Sequence, residues 1–249
     1  MCTLVILRNP GAEWPLIVAA NRDEMLDRPS APPARHWPDR DHLRAGLDEL
    51  AGGTWLGVND YGLMAGVLNR TGTLGSDPNL RSRGELPLEA LGHAEATEAA
   101  RALADLDPAA YRPFNLVVAD GRDAFWITSI NEWGEPAMRV EMVPTGLSML
   151  TDRELNDQTS GRIANNLSKF KAAAVPDPAT GNWRDWQMLL ADKTVTSDAR
   201  EAMNIHMDTG FATVSSSLIA LPAPELTDIS PVWLFADGSP DKASFQPVD

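Results

Sequence analysis

The sequence predicts an α+β protein built from antiparallel sheets, and three observations carry that class. Apolar runs come in pairs divided by turn residues, as hairpins require. Segments of helical composition are grouped between sets of hairpins and do not alternate with single strands. The chain has neither an internal repeat nor a low-complexity tract. At 249 residues, with 43% hydrophobic and 22% charged residues, it has the length and composition to bury a sizeable core, and one domain over 1–249 is the expectation.

Taken in order, Thr3 to Arg8 is apolar and rich in β-branched residues, Asn9-Pro10-Gly11 signals a turn, and Pro15 to Ala20 is a second apolar run. Together they predict a hairpin whose first strand begins at Cys2 and whose second ends in the polar block Asn21-Arg22-Asp23-Glu24. Pro29, Pro32, Pro33 and Pro38 make Arg28 to Asp41 a loop unable to hold a helix or a central strand. Trp55 to Val58 and Leu63 to Leu68 predict a second hairpin around Asn59-Asp60-Tyr61-Gly62, again ending in polar residues, Asn69-Arg70.

Leu86 to Leu91 and Ala96 to Leu106 are helical by composition, and Asp107-Pro108 closes them. Strands are predicted at Phe114 to Ala119, Ala124 to Ile130, Met138 to Val143 and Leu147 to Thr151. Ile163, Leu167 and Phe170 form a helical stripe within Ser160 to Ala174, with Ser160 as N-cap, and Trp183, Trp186, Leu189 and Leu190 repeat the pattern. Phe211 to Leu221 and Pro231 to Phe235 end the chain as strands.

Composition excludes several partners. A formal charge of -14 repels nucleic acid and anionic lipid, so neither is expected. The beginning lacks the charged and apolar regions of a signal peptide, and no apolar run reaches the length of a membrane span, which predicts a cytoplasmic protein without membrane insertion. The single cysteine rules out an intrachain disulfide and a multi-cysteine zinc site. His36, His42, His93 and His206 lack metal-ligand spacing, and the glycines at 72 and 75 lack the lysine and context of a phosphate loop, so no metal or cofactor is predicted.

Cys2 is the candidate nucleophile. Removal of Met1, which a small second side chain permits, would place a thiol and an α-amine on one residue, and a neutral amine is a suitable base for the thiol near neutral pH. Arg22 and Asp23 end the neighbouring strand, where Arg22 would favour the thiolate and Asp23 would hold the amine. Asn69 is the candidate oxyanion donor, while Asn21, Glu24 and Asp152 are candidate substrate contacts. The competing readings are plain ones: a core-filling cysteine, a solvated turn carrying a local ion pair, and a strand-capping asparagine.

At Met1-Cys2-Thr3 and Asn21-Arg22-Asp23-Glu24 the chain resembles the NRDE family, also called the transport and Golgi organisation family. Further matches are Gly52-Gly53-Thr54-Trp55-Leu56-Gly57-Val58-Asn59, Leu68-Asn69-Arg70, Ser82-Arg83-Gly84 and Pro113-Phe114-Asn115-Leu116. The chain is also distantly similar to the choloylglycine hydrolase and penicillin V acylase group. That similarity implies an N-terminal-nucleophile hydrolase with a four-layer α/β/β/α sandwich, cleaving a non-peptide carbon–nitrogen bond through a thioester.

Against that pattern, Asp152 stands where those acylases carry an asparagine, and Val214 where family members often carry an arginine, a charge that Arg22 or Arg153 would have to replace. The family resemblance also implies an alternative without catalysis, binding or movement of haem, with Cys2, His206 or Met207 as axial ligand. The expected partner is thus a small molecule, either an acyl amide or haem.

Overall fold

The computed structural model describes residues 2–75, 77–132, 135–195 and 198–249; Met1, whose removal the proposed chemistry invokes, lies outside them. In chain order the elements are β1 (Thr3–Arg8), β2 (Leu16–Met25), β3 (Ser30–Ala34), β4 (Leu43–Asp48), β5 (Leu56–Asn59), β6 (Met64–Asn69), α1 (Glu85–Ala90), α2 (Ala96–Ala104) and β7 (Phe114–Ala119). They continue with β8 (Ala124–Glu132), β9 (Glu135–Met142), β10 (Gly146–Leu150), α3 (Gly161–Ala172), α4 (Arg184–Leu190), β11 (Phe211–Leu221), β12 (Val232–Asp237) and β13 (Gln246–Pro247). The chain divides into two compact units, Met1–Arg28 with Pro144–Asp249, and Pro29–Val143.

The first unit is an antiparallel sheet in the order β10-β1-β2-β11-β12-β13, with helices on one face. Alternate residues of its strands, including Val5, Ile17, Ala19, Met149, Leu218 and Ala220, meet the stripe Ile163, Leu167 and Phe170 of α3 and the indoles of Trp183 and Trp186 around α4. The opposite face is buried as well, through Leu4, Ile6, Leu16 and Val18. Burial on both faces explains why β1 and early β2 read as continuous apolar runs and not as alternating ones.

The second unit is an antiparallel sheet in the order β3-β4-β5-β6-β7-β8-β9, against which α1 and α2 pack Leu86, Ala90, Ala99 and Leu103. The predicted loop at Arg28 to Asp41 needs correction, because it contains β3. That strand lies at the sheet edge, and its register with β4 slips between Ala31 and Ala34, where Pro32 and Pro33 supply no N–H.

Two glycine motifs meet in this unit: a Cβ on Gly53 would stand 2.6 Å from the carbonyl carbon of Gly84. The Thr54 N–H donates to the Gly84 carbonyl at 2.9 Å. Arg83 secures the same corner by donating to the carbonyls of Thr73, Pro113 and Gly75. Among the described residues, no helix is long and apolar enough to cross a membrane.

Candidate active site

The site follows from strand register. β1 and β2 pair Thr3 with Asn21 and Leu4 with Ala20; one residue further, the same register sets Cys2 opposite Arg22. Directly opposed residues of an antiparallel pair project to the same face, and the next pair projects to the other. Cys2 and Arg22 therefore share one face, while Thr3, Asn21 and Asp23 share the face covered by α3 and α4. Cys2 Sγ lies 4.0 Å from the carbonyl oxygen of Asp23.

On the helix-covered face the polar groups are fully engaged. Asn21 is 1% exposed; its Nδ2 donates to the carbonyls of Leu190 and Met203 at 3.0 and 2.8 Å, and its Oδ1 accepts from Ser216 Oγ at 2.6 Å. Asp23 forms a buried ion pair with Arg162 of α3, Oδ2 to Nη1 at 2.7 Å, and its Oδ1 accepts from Thr213 Oγ1 at 2.7 Å. The same Nη1 donates to Thr3 Oγ1 at 2.6 Å, and Nε and Nη2 both donate to the Arg200 carbonyl. Asn21 and Asp23 thus tie the sheet to its helices.

A β-bulge in β11 makes this arrangement possible. Thr213 pairs with Asp23 and Ser215 with Arg22, leaving Val214 as the extra residue. Without the insertion Thr213 and Ser215 would face the same way. With it, Thr213 bonds Asp23 on the helix-covered face, while Ser215 joins Arg22 and Cys2 on the other. The position at which an arginine was expected is the bulge itself, and Val214 is half-buried there.

Beyond Cys2 on the other side, the β1–β10 register, in which Leu4 pairs with Leu150, brings Asp152 level with Cys2 when carried two residues further. Asp152 is half-buried, and its charge helps to hold the Arg200 guanidinium protonated, after the stronger effect of Asp198. Glu24 accepts from the Met25 N–H at 2.9 Å and lies 3.8 Å from Arg28 Nε. Arg153 is exposed and donates to Thr159 Oγ1. Ser160 does not cap α3 with its side chain; its hydroxyl pairs with that of Thr151 at 3.2 Å.

Burial pushes the Cys2 thiol above its ordinary range, and the negative charge of Asp23 adds to this. The charge of the chain's terminal ammonium acts in the opposite direction, followed by the Asp23 carbonyl and the Arg22 charge, but together they are outweighed. The thiol thus keeps its proton near neutral pH, so nucleophilic attack requires a base to accept it.

Asn69 ends β6 opposite Phe114, and its place in the alternation with Ala65 and Val67 puts it on the side of α1 and α2. Arg70 follows on the other side, where Nη1 donates to Asn115 Oδ1 and Thr128 Oγ1, both at 2.9 Å. Asn115 Oδ1 also accepts from Trp126 Nε1 at 3.1 Å, so Leu68-Asn69-Arg70 and Pro113-Phe114-Asn115-Leu116 join in one network. Of the alternative haem ligands, His206 is exposed and Met207 half-buried, in the segment leading to β11.

Sequence reasoning missed Arg162, Thr213 and the bulge. One signal for Arg162 was available: a cation in the first turn of a helix opposes the helix dipole and so calls for a separate reason.

This architecture defines an N-terminal-nucleophile-hydrolase-like fold, with two antiparallel sheets and a few helices. The C. elegans ortholog of N-acylethanolamine-hydrolyzing acid amidase superposes with a TM-score of 0.58 at 15% identity, covering 91% of this chain and 94% of that one. A variant of conjugated bile acid hydrolase from Clostridium perfringens gives a TM-score of 0.57 at 11% identity, covering 100% and 92%. Penicillin V acylase from Agrobacterium tumefaciens gives 0.51 at 12%, covering 95% and 83%.

The chain itself belongs to the Transport and Golgi organisation 2 family, whose model matches residues 1–221. It is 34% identical over 108 residues to the Mus musculus Transport and Golgi organization 2 homolog and 35% identical over 108 residues to the Homo sapiens homolog. Each match covers 42% of this chain and 38% of the relative, so the similarity spans well under half the length of these curated relatives.

Proposed function

We propose that the protein is a cysteine amidohydrolase of the N-terminal-nucleophile type, acting on a small molecule with a non-peptide amide bond. The observation that carries this reading is the register that sets Cys2 beside Arg22 on one sheet face, with Sγ against the Asp23 carbonyl. The names of the three structural relatives, an amidase, a hydrolase and an acylase, point to the same class of reaction.

In the proposed reaction, removal of Met1 frees the α-amine of Cys2. The neutral amine takes the thiol proton as Sγ bonds to the substrate carbonyl carbon, and the carbonyl electrons move to oxygen. Collapse of that oxyanion breaks the carbon–nitrogen bond; the ammonium returns its proton to the departing amine and a thioester remains. Water then attacks the thioester with the same amine as base, releasing a carboxylic acid and regenerating the thiol. The fixed charge of Arg22 favours the developing thiolate, while Asp23 and Asn21 hold the strand ends in place.

The test is hydrolysis of a panel of N-acyl amines and lactams, read as equal amounts of acid and amine for the acyclic substrates and as ring-opened product for the lactams. Wild-type turnover of at least one member, reduced by about three orders of magnitude or more in Cys2→Ala, is the expected result. Turnover that survives in Cys2→Ala, or no turnover of any member, overturns the reading.

A further inference from the structure

We propose that Arg162 is the positioning residue for Cys2, a role resting on the reading of Cys2 as the nucleophile. Cys2 immediately precedes β1, where pairing has least support from neighbouring residues. From the helix-covered face, Arg162 grips both strands at that end: Nη1 bonds Thr3, next to Cys2 in sequence, and Asp23, next to Arg22. The two bonds to the Arg200 carbonyl fix the plane of the guanidinium. Thr213 completes the brace by donating to Asp23 while accepting from the Ile205 N–H at 2.9 Å.

Stability alone does not explain this design. The side chains of Arg162 and Asp23 are 1% and 0% exposed, and a buried ion pair ordinarily gives no more stability than well-packed apolar residues in its place. Arg162 also stands in the first turn of α3, where a positive charge is disfavoured. What the pair does supply is a fixed register at the strand ends, holding Cys2 level with Arg22 and its sulfur against the Asp23 carbonyl. It also neutralises a carboxylate whose charge opposes thiolate formation.

Cys2 is the only cysteine, so its alkylation by iodoacetamide can be followed across pH in the full chain without a competing signal. Arg162→Met is expected to slow alkylation at pH 7.5 about tenfold, equivalent to one pKa unit, and to move the midpoint of the pH profile upward. Arg162→Lys should recover part of that loss, and Thr3→Val should move the profile in the same direction by less. Leu167→Ala, which opens the core on the same helix, should lower stability and leave the profile where it is.

A folded Arg162→Met with the wild-type profile overturns the proposal, as does an equal shift in Leu167→Ala. If Arg162→Met does not fold, Thr3→Val decides: an unchanged profile overturns the positioning role and a raised midpoint sustains it. The readout needs no substrate. A shifted alkylation profile in a protein that hydrolyses no amide would therefore contradict the proposed reaction and leave the positioning role standing.

Discussion

Asp23→Ala is expected to destabilise the folded chain by about 3–5 kcal/mol, the usual consequence of stranding one charge of a buried ion pair. Arg162 would keep its bonds to Thr3 and the Arg200 carbonyl but lose the carboxylate that Nη1 meets at 2.7 Å, in a place where its side chain is 1% exposed. Thr213 would lose its shorter hydrogen bond at the same time, keeping the Met203 carbonyl at 3.5 Å. Asp23→Asn should cost less, because an amide oxygen can still accept one of these bonds. Urea unfolding monitored by tryptophan fluorescence reads both variants. A change below about 0.5 kcal/mol, the range of ordinary surface substitutions, would show that the pair is not sealed from water.

The second large effect is expected at Gly53. An alanine Cβ there would meet the backbone of Gly84 at 2.6–2.8 Å, and backbone on both sides of the contact cannot move aside as a side chain can. Overpacking usually costs about 1–3 kcal/mol, and this substitution should lie at or above the upper end. Gly52 provides the contrast. It has a φ of 72° and open space around its Cβ position, so Gly52→Ala should cost only the strain of a left-handed residue, about 1–2 kcal/mol. Equal effects at the two positions would contradict the close approach of the two motifs.

How far the sequence could be read depended on the range of each interaction. The first hairpin was legible because its turn residues and apolar runs are local, and a simple register then sets Arg22 opposite Cys2. The helices were legible from their stripes, since Ile163, Leu167 and Phe170 recur at the spacing that one packed face demands. β3 was hidden because proline argues against a strand, and only its place at the sheet edge makes it tolerable.

At the site, the residue types were visible but their partners were not. Nothing near Asp23 in sequence announces Arg162, 139 positions away, or Thr213, 190 positions away. The bulge at Val214 was equally hidden, because inserting one residue changes no apolar pattern strongly enough to be read. Yet it decides which face Thr213 and Ser215 occupy. The resemblance to N-terminal-nucleophile hydrolases gave the correct fold, while the distribution of polar residues between the two sheet faces came only from the register.

The most direct test of the central claim is the intact mass of the protein before and after brief exposure to an activated acyl ester. The account predicts a chain that begins at Cys2, lacks Met1, and gains one acyl group that maps to Cys2 and is released by hydroxylamine, as a thioester is. Retention of Met1 would leave the proposed base locked in a peptide bond and contradict the mechanism, and so would a single adduct that maps to another residue.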